Sequence, residues 1–178
     1  MLDYSKYGYF GHLCEVPQDV LNNLISYYDI LEKTEADQNN TYYKQWRVQS
    51  TSLRKEVDNG YIVWEDNGYL DITKRFFETY VNEIFRFRFS WLQKNKEVKY
   101  HVNHMLPRIH IPLNDSGSVF VVKDNDIEYS YNLEFGSAHF INVTLPHKVI
   151  GTKDMHRKNS FFSFETFKDK NIEAKFLK

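Results

Sequence analysis

The chain predicts a mainly β fold, a sandwich or barrel with helices packed on one side. Two observations carry that expectation. From Phe85 onward, short strand-like runs recur at even spacing, separated by breaks at Lys94-Asn95, Asn114 to Gly117, Asp124 to Asp126, Gly136-Ser137 and Thr152 to Asp154. The runs are 85–92, 97–103, 108–113, 118–123, 127–133, 138–143, 146–151 and 159–167. Strands at such spacing close into a sandwich or barrel. The composition agrees: Phe 14 and Tyr 13 bring aromatic residues to 17% of the chain, and aromatic side chains favour sheet.

With 178 residues, one domain spanning 1–178 is expected: a helical or irregular part over 1–84, a β core over 85–167 and a tail over 168–178. Formal net charge is -1, from Lys+Arg 23 against Asp+Glu 24, so no nucleic-acid partner bound by bulk charge is expected. Cys14 is the single cysteine and has no internal partner, which fits a reducing compartment. The opening Met-Leu-Asp-Tyr-Ser-Lys lacks the apolar segment of a secretion signal. No apolar run approaches the roughly 20 residues that cross a bilayer. A cytoplasmic location and no membrane partner are therefore expected. The Lys-, Asn- and Tyr-rich composition suits an AT-rich bacterial or phage genome.

Residues 1–14, rich in Tyr and Gly, suit a short strand with a turn. Pro17 suits the first turn of a helix, where its missing N–H would be unpaired in any case. Val20, Leu21, Leu24, Ile25, Tyr28 and Leu31 form one helical stripe, and the polar run from Glu32 to Asn40 reads as a loop. Residues 41–57 read as irregular, with a possible strand at 45–50. Asp58-Asn59-Gly60 and Asp66-Asn67-Gly68 are turn signals around Tyr61-Ile62-Val63-Trp64. Asp71 caps an expected second helix, in which Ile72, Phe76, Tyr80 and Ile84 recur every fourth residue beside Phe77 and Val81. At Phe85 the period becomes two. Phe85, Phe87, Phe89 and Trp91 alternate with Arg86, Arg88 and Ser90, the ordinary pattern of a half-exposed strand. The end, from Asn171 to Lys178, reads as a mobile tail or short helix.

The candidate site lies in residues 97–157. Side chains alternate along a strand, so His101 and Asn103 share one face while Val98, Tyr100 and Val102 take the other. Likewise Arg108 and His110 share a face opposite Ile109, Ile111 and Leu113. His101 and His147 lie near the two ends of the strand series, where a barrel can make neighbours of them. Two imidazoles on one side of a metal leave room for water, substrate and a bidentate cosubstrate, as in non-haem iron sites. Arg157, ten residues after His147, suits a two-pronged ion pair with a carboxylate. His104 is an alternative to His101 but sits at the opposite parity if the strand continues. His139 and His156 read as structural or surface residues, and Trp46, Trp64 and Trp91 as core or pocket wall.

Five pieces, His101-Val102-Asn103, Arg108-Ile109-His110-Ile111-Pro112-Leu113, Phe135-Gly136, Asn142 to His147, and Arg157, stand in an order that resembles the cupin-type aspartyl/asparaginyl β-hydroxylase family, with its proline-hydroxylase-like bacterial members. The resemblance covers about residues 86–165 and fades over the first eighty. It implies a double-stranded β-helix (jelly-roll or cupin) fold. It also implies an Fe(II)/2-oxoglutarate-dependent dioxygenase that uses O2 to hydroxylate an Asp, Asn or Pro side chain, free or protein-bound, and releases succinate and CO2. By the same resemblance His101 and His147 ligate iron, Arg157 pairs with the distal carboxylate of 2-oxoglutarate, and Arg108 and His110 line the cosubstrate pocket. Asn103 departs from the pattern. Many relatives carry Asp there as a third ligand, and the aspartyl/asparaginyl branch carries Gly. An amide oxygen is neutral and a weaker donor to Fe(II). A catalytically silent binding module for a small carboxylate or a protein partner is the competing expectation.

Overall fold

The computed structural model describes residues 4–36, 53–58, 61–65, 71–103, 106–152 and 154–178. The strands are β1 (Phe10–Glu15), β2 (Leu53–Asp58), β3 (Tyr61–Glu65), β4 (Val81–Leu92), β5 (Glu97–His101), β6 (Arg108–Pro112), β7 (Val119–Asp124), β8 (Ile127–Asn132), β9 (Ser137–Ile141), β10 (His147–Ile150) and β11 (Arg157–Phe167). The helices are α1 (Gln18–Ala36), α2 (Asp71–Phe77) and α3 (Lys170–Ala174). All eight expected strands are present, in order, with ends shifted by a few residues.

The strands form two antiparallel sheets, a seven-stranded one in the order β1-β9-β6-β11-β4-β3-β2 and a four-stranded one in the order β5-β10-β7-β8. From β4 onward the chain passes back and forth between them: β4, β6, β9 and β11 in the large sheet, β5, β7, β8 and β10 in the small one. That alternation is the double-stranded β-helix. β1, β2 and β3 come from the first 84 residues, yet they extend the large sheet instead of standing apart from it.

Two hydrophobic layers hold the fold. On the outer face of the large sheet, Leu24, Tyr28 and Leu31 of α1 and Phe77 of α2 bury against Ile109, Ile111, Phe162 and Phe164. Between the sheets, Leu92 and Ile141 meet Val98, Phe120, Val122 and Val149 of the small sheet. The barrel closes at one side by ring stacking, Tyr9 on Tyr129 at 4.4 Å and Phe10 on Tyr131 at 4.6 Å.

Several expectations are corrected. α1 runs on to Ala36, through the polar residues taken as a loop. Glu32, Lys33 and Glu35 are good helix formers, so loss of the apolar stripe did not end the helix. α2 stops at Phe77, and Val81 and Ile84 belong to β4. Both residues are β-branched, which favours strand over helix, although Ile84 continues the fourfold series of Ile72, Phe76 and Tyr80. Of the two readings of the end, the short helix holds, and it is anchored. Asp169 caps α3 by accepting the backbone N–H groups of Asn171 and Ile172. Phe176 is buried and stacks on Phe167 at 4.8 Å. The possible strand at 45–50, both Asn-Gly turns and His104 lie outside the described residues.

Because Phe176 fills a buried site against Phe140 and Phe167, Phe176→Ala should lower stability by about 3–5 kcal/mol. Urea denaturation followed by far-UV circular dichroism measures this. An unchanged midpoint would show that the C-terminal segment is not part of the folded unit.

Candidate functional site

In the antiparallel β5–β10 pair, His101 stands directly opposite His147. Side chains on directly opposed residues of such a ladder are near neighbours. The two imidazole centroids are 4.2 Å apart, with the rings tilted by 55°. Local structure delivers His147 to this place. Asn142 Oδ1 accepts the Thr144 hydroxyl at 2.6 Å, closing a turn, and Pro146 then leads into the strand at His147.

The parity expected in β5 does not hold. His101 and Val98 are three residues apart, but their partners His147 and Val149 are two apart, so β5 carries an extra residue. The bulge puts Val98 and His101 on the same side, and Val98 is buried in the inter-sheet core. Tyr100 is thrown outward, exposed, under the Lys148 ammonium.

Both imidazoles are held in one tautomer. His101 Nδ1 lies 2.8 Å from the Lys99 carbonyl, and His147 Nδ1 lies 2.8 Å from the Leu145 carbonyl. A carbonyl oxygen only accepts, so each Nδ1 carries the proton and each Nε2 keeps its lone pair. Pinning one ring nitrogen so that the other is free is how proteins orient metal-binding histidines. Asn103 Nδ2 lies 3.1 Å from His147 Nε2 and donates to it. The Asn103 backbone N–H is tied to the Val143 carbonyl at 3.0 Å.

Among the described residues no cluster of three or more His, Cys, Asp and Glu side chains forms. The donor set is therefore two imidazoles and one amide. That set suits a divalent first-row metal with open positions, since imidazole is a good ligand for iron and its neighbours.

A polar chain leads from His147 into the barrel. Phe120 stacks on His147, with centroids 5.5 Å apart and rings 14° from parallel. The edge of His110 meets Phe120 at 5.3 Å, and its face stacks on Phe161 at 5.1 Å. Arg108 lies over the same Phe161 ring at 5.1 Å. Arg108 and His110 thus face the barrel interior, while Ile109 and Ile111 face the helices. Asn159 Nδ2 donates to the Ser160 carbonyl at 3.0 Å and to His110 Nδ1 at 3.2 Å. His110 therefore carries its proton on Nε2. That N–H is buried without a partner, and so is Asn159 Oδ1. A buried unsatisfied donor costs about 1–3 kcal/mol, and a ligand oxygen placed against it removes the cost. Arg157, 3% exposed, begins β11 beside Leu92, with Nη1 3.5 Å from Ser90 Oγ.

The charge states follow from burial. His147 is pushed down to about 3, chiefly by burial and then by His101, with the Leu145 carbonyl opposing. Burial first, then Arg157 and Arg108, hold His110 well below the ordinary histidine range. Both are neutral at pH 7.

The structure thus brings His101, His147 and Asn103 together at the mouth, with Arg108 beside them and His110, Asn159 and Arg157 further in. Asn159, Phe120 and Phe161 were missed in the sequence. Asn159 was findable, since it shares strand parity with Arg157 two residues before it. His139 is buried, with Nε2 against Glu134 and Nδ1 against Tyr131, a structural role. His156 packs on Trp91 at 4.8 Å and Nδ1 accepts the Lys94 N–H.

Comparison with known proteins bears on the fold. No family model matches the chain, and no curated protein matches it. Among solved structures, it is similar to a Pseudomonas putida prolyl-4-hydroxylase at TM-score 0.53 and 8% identity, covering 92% of this chain and 95% of that one. It is also similar to an oxidoreductase of the 2OG-Fe(II) oxygenase family from Burkholderia pseudomallei, at TM-score 0.52 and 12% identity, covering 72% and 80%. Against the vicilin of Corylus avellana the chain spans 31% of that protein's length at TM-score 0.45. The shared feature is the fold, the double-stranded β-helix of 2OG-Fe(II) oxygenases.

A pH dependence of stability follows. The unfolded chain titrates His147 near the ordinary value of 6.5, whereas the folded chain resists the proton down to about 3. Between these values the unfolded state binds more protons, so stability falls as pH falls, by at most about 1.4 kcal/mol per pH unit for each such group. Urea midpoints of metal-free protein should drop from pH 7 to pH 5.5, and drop less in His147→Gln. Identical slopes for both proteins would place His147 in solvent.

Proposed function

We propose that the chain is an Fe(II)/2-oxoglutarate-dependent dioxygenase of the aspartyl/asparaginyl β-hydroxylase-like type, acting on an amino-acid side chain, free or protein-bound. The observation that carries this reading is the His101–His147 pair, each ring with Nδ1 bound to a backbone carbonyl and its lone pair on Nε2, that of His147 accepting from the Asn103 amide. Iron with 2-oxoglutarate and O2 supplies the oxidising chemistry, with succinate and CO2 as by-products.

The chain's own residues divide the remaining work. His101 and His147 hold the metal through Nε2, and their carbonyl-bound Nδ1–H groups keep the rings from turning. Asn103, whose Nδ2 donates to His147 Nε2 in the metal-free site, would turn its amide oxygen toward the ion as the third protein donor. Its neutral amide leaves the metal more positive than a carboxylate would, which favours an anionic chelating cosubstrate. His110 Nε2–H and Arg157 receive the cosubstrate's carboxylate inside the barrel, where low dielectric strengthens the ion pair. Phe120, Phe161 and the inter-sheet apolar residues exclude water from that path. Arg108 stands at the mouth, where cosubstrate and substrate meet.

A second reading has one observation in its favour, the amide at Asn103 where a carboxylate would complete a ligand triad. On that reading the barrel binds a small carboxylate or a protein partner and turns nothing over.

Anaerobic addition of Fe(II) and then 2-oxoglutarate separates the two. An oxygenase should give the visible charge-transfer band of metal-chelated 2-oxoglutarate. The band should vanish in His147→Ala. In Arg157→Leu, half-saturation should need about tenfold or more 2-oxoglutarate, the expected loss for a charge-assisted contact. Aerobically the wild type should release some succinate without added substrate. Metal binding without band or succinate would favour the binding module, and no metal binding would end the oxygenase reading.

A further inference from the structure

Beside the His101–His147 pair opens a cavity of about 640 Å3, to which Asn103, Arg108 and Ser163 contribute. Its remaining described wall is Val102 and Leu106, with Phe85 and Arg86 from β4. Simple alternation along β4 would send Phe85 outward with Phe87, away from this cavity. A bulge reverses it. Phe85 pairs with Ser163 and Arg88 with Phe161, so β4 advances three residues where β11 advances two. The extra residue is taken up around Arg86, whose φ of 50° lies in the left-handed region. Side chains other than glycine rarely adopt that conformation, and bulges that hold it recur where a strand re-aims a side chain at a site.

The register shows the effect. Phe85, Ser163 and Arg108 form one row across β4, β11 and β6. Phe87 and Phe89, above the bulge, still pack on the helix-side core. Below it Phe85 has crossed to the mouth, and Arg86 lies there as well.

The chemistry of the wall is one-sided. It carries two guanidinium groups, three apolar side chains and no carboxylate among the described residues. Arg108 already lies over the Phe161 ring. Arg86 is exposed, and no hydrogen bond or ion pair holds it among the described residues. A guanidinium matches a planar carboxylate through two parallel hydrogen bonds. A free ammonium group would meet two guanidinium groups and no carboxylate among the described residues.

We propose that this cavity is the substrate site and that Arg86, presented by the β4 bulge, pairs with a substrate carboxylate whose aliphatic body rests on Phe85, Val102 and Leu106. The assignment rests on the oxygenase reading for the word substrate, though the cavity's chemistry does not. It selects an aliphatic acid, with an apolar chain and no free ammonium near the carboxylate.

The test is anaerobic isothermal titration with 4-methylpentanoate and, separately, with its neutral amide, in the presence of Fe(II) and saturating 2-oxoglutarate. The acid should bind about tenfold or more tightly than the amide, the usual worth of a charge-assisted contact. Arg86→Gln should erase the preference, and Arg86→Lys should restore part of it. Equal binding of acid and amide by the wild type overturns the inference, as does a preference that persists in Arg86→Gln. The charge-transfer band of the wild type, read in the same samples, reports the metal site separately. A band without acid selectivity removes Arg86 and leaves the oxygenase. Arg86-dependent acid selectivity without a band keeps the anion site and removes the oxygenase.

Discussion

The register of one short antiparallel pair, β5 against β10, sets everything else at the site. It places His101 across from His147. In a ladder with a side-chain period of two, a slip by one residue would turn one histidine to the opposite face. That register is secured from both sides. Val98 and Val149 meet in the inter-sheet core, and Asn103 continues the chain onto the Val143 carbonyl. The pairing of the two histidines is thus a by-product of apolar packing a few residues away.

Irregular strands do the rest. The extra residue in β5 brings His101 to the inner side although Val98 already occupies it, and the extra residue in β4 brings Phe85 and Arg86 to the mouth. The β4 bulge borders the cavity, and the β5 bulge comes just before Val102 and Asn103 of its wall. A perfectly regular barrel with this sequence would point Phe85 at the helices and could not present Val98 and His101 together. The cost of a left-handed Arg86 backbone, about 1–2 kcal/mol, is small against the apolar burial between the sheets. A barrel can therefore carry such irregularities where chemistry needs them.

Much of this was legible in the sequence, for physical reasons that can be named. The strands of the core announce themselves because turn residues must sit between them. Arg108 and His110 were placed on the correct face because β6 is regular, and Ile109 and Ile111 are buried on the other. Where the ladder is irregular, alternation misled: Tyr100 was grouped with Val98, and Arg86 was read as an ordinary half-exposed strand residue. A bulge is a property of two strands together, so one strand's sequence does not display it. The extension of α1 was missed because helix formers without an apolar stripe resemble a loop. The anchoring of Phe176 was missed because its partners, Phe140 and Phe167, are distant or ambiguous in sequence. The orphaned His110 Nε2–H depends on which way the Asn159 amide faces, which only the neighbouring Ser160 carbonyl decides.

The fold itself holds His101 and His147 as a matched pair, each with Nδ1 on a backbone carbonyl, before any metal arrives. Long-range 1H–15N correlation of the histidine rings in metal-free protein at pH 7 tests it most directly. The expected result is His147 neutral, both rings with a proton on Nδ1, and loss or displacement of both Nε2 signals together when one equivalent of Zn(II) is added. A proton on Nε2 in either ring, or a response from only one of them, would contradict it.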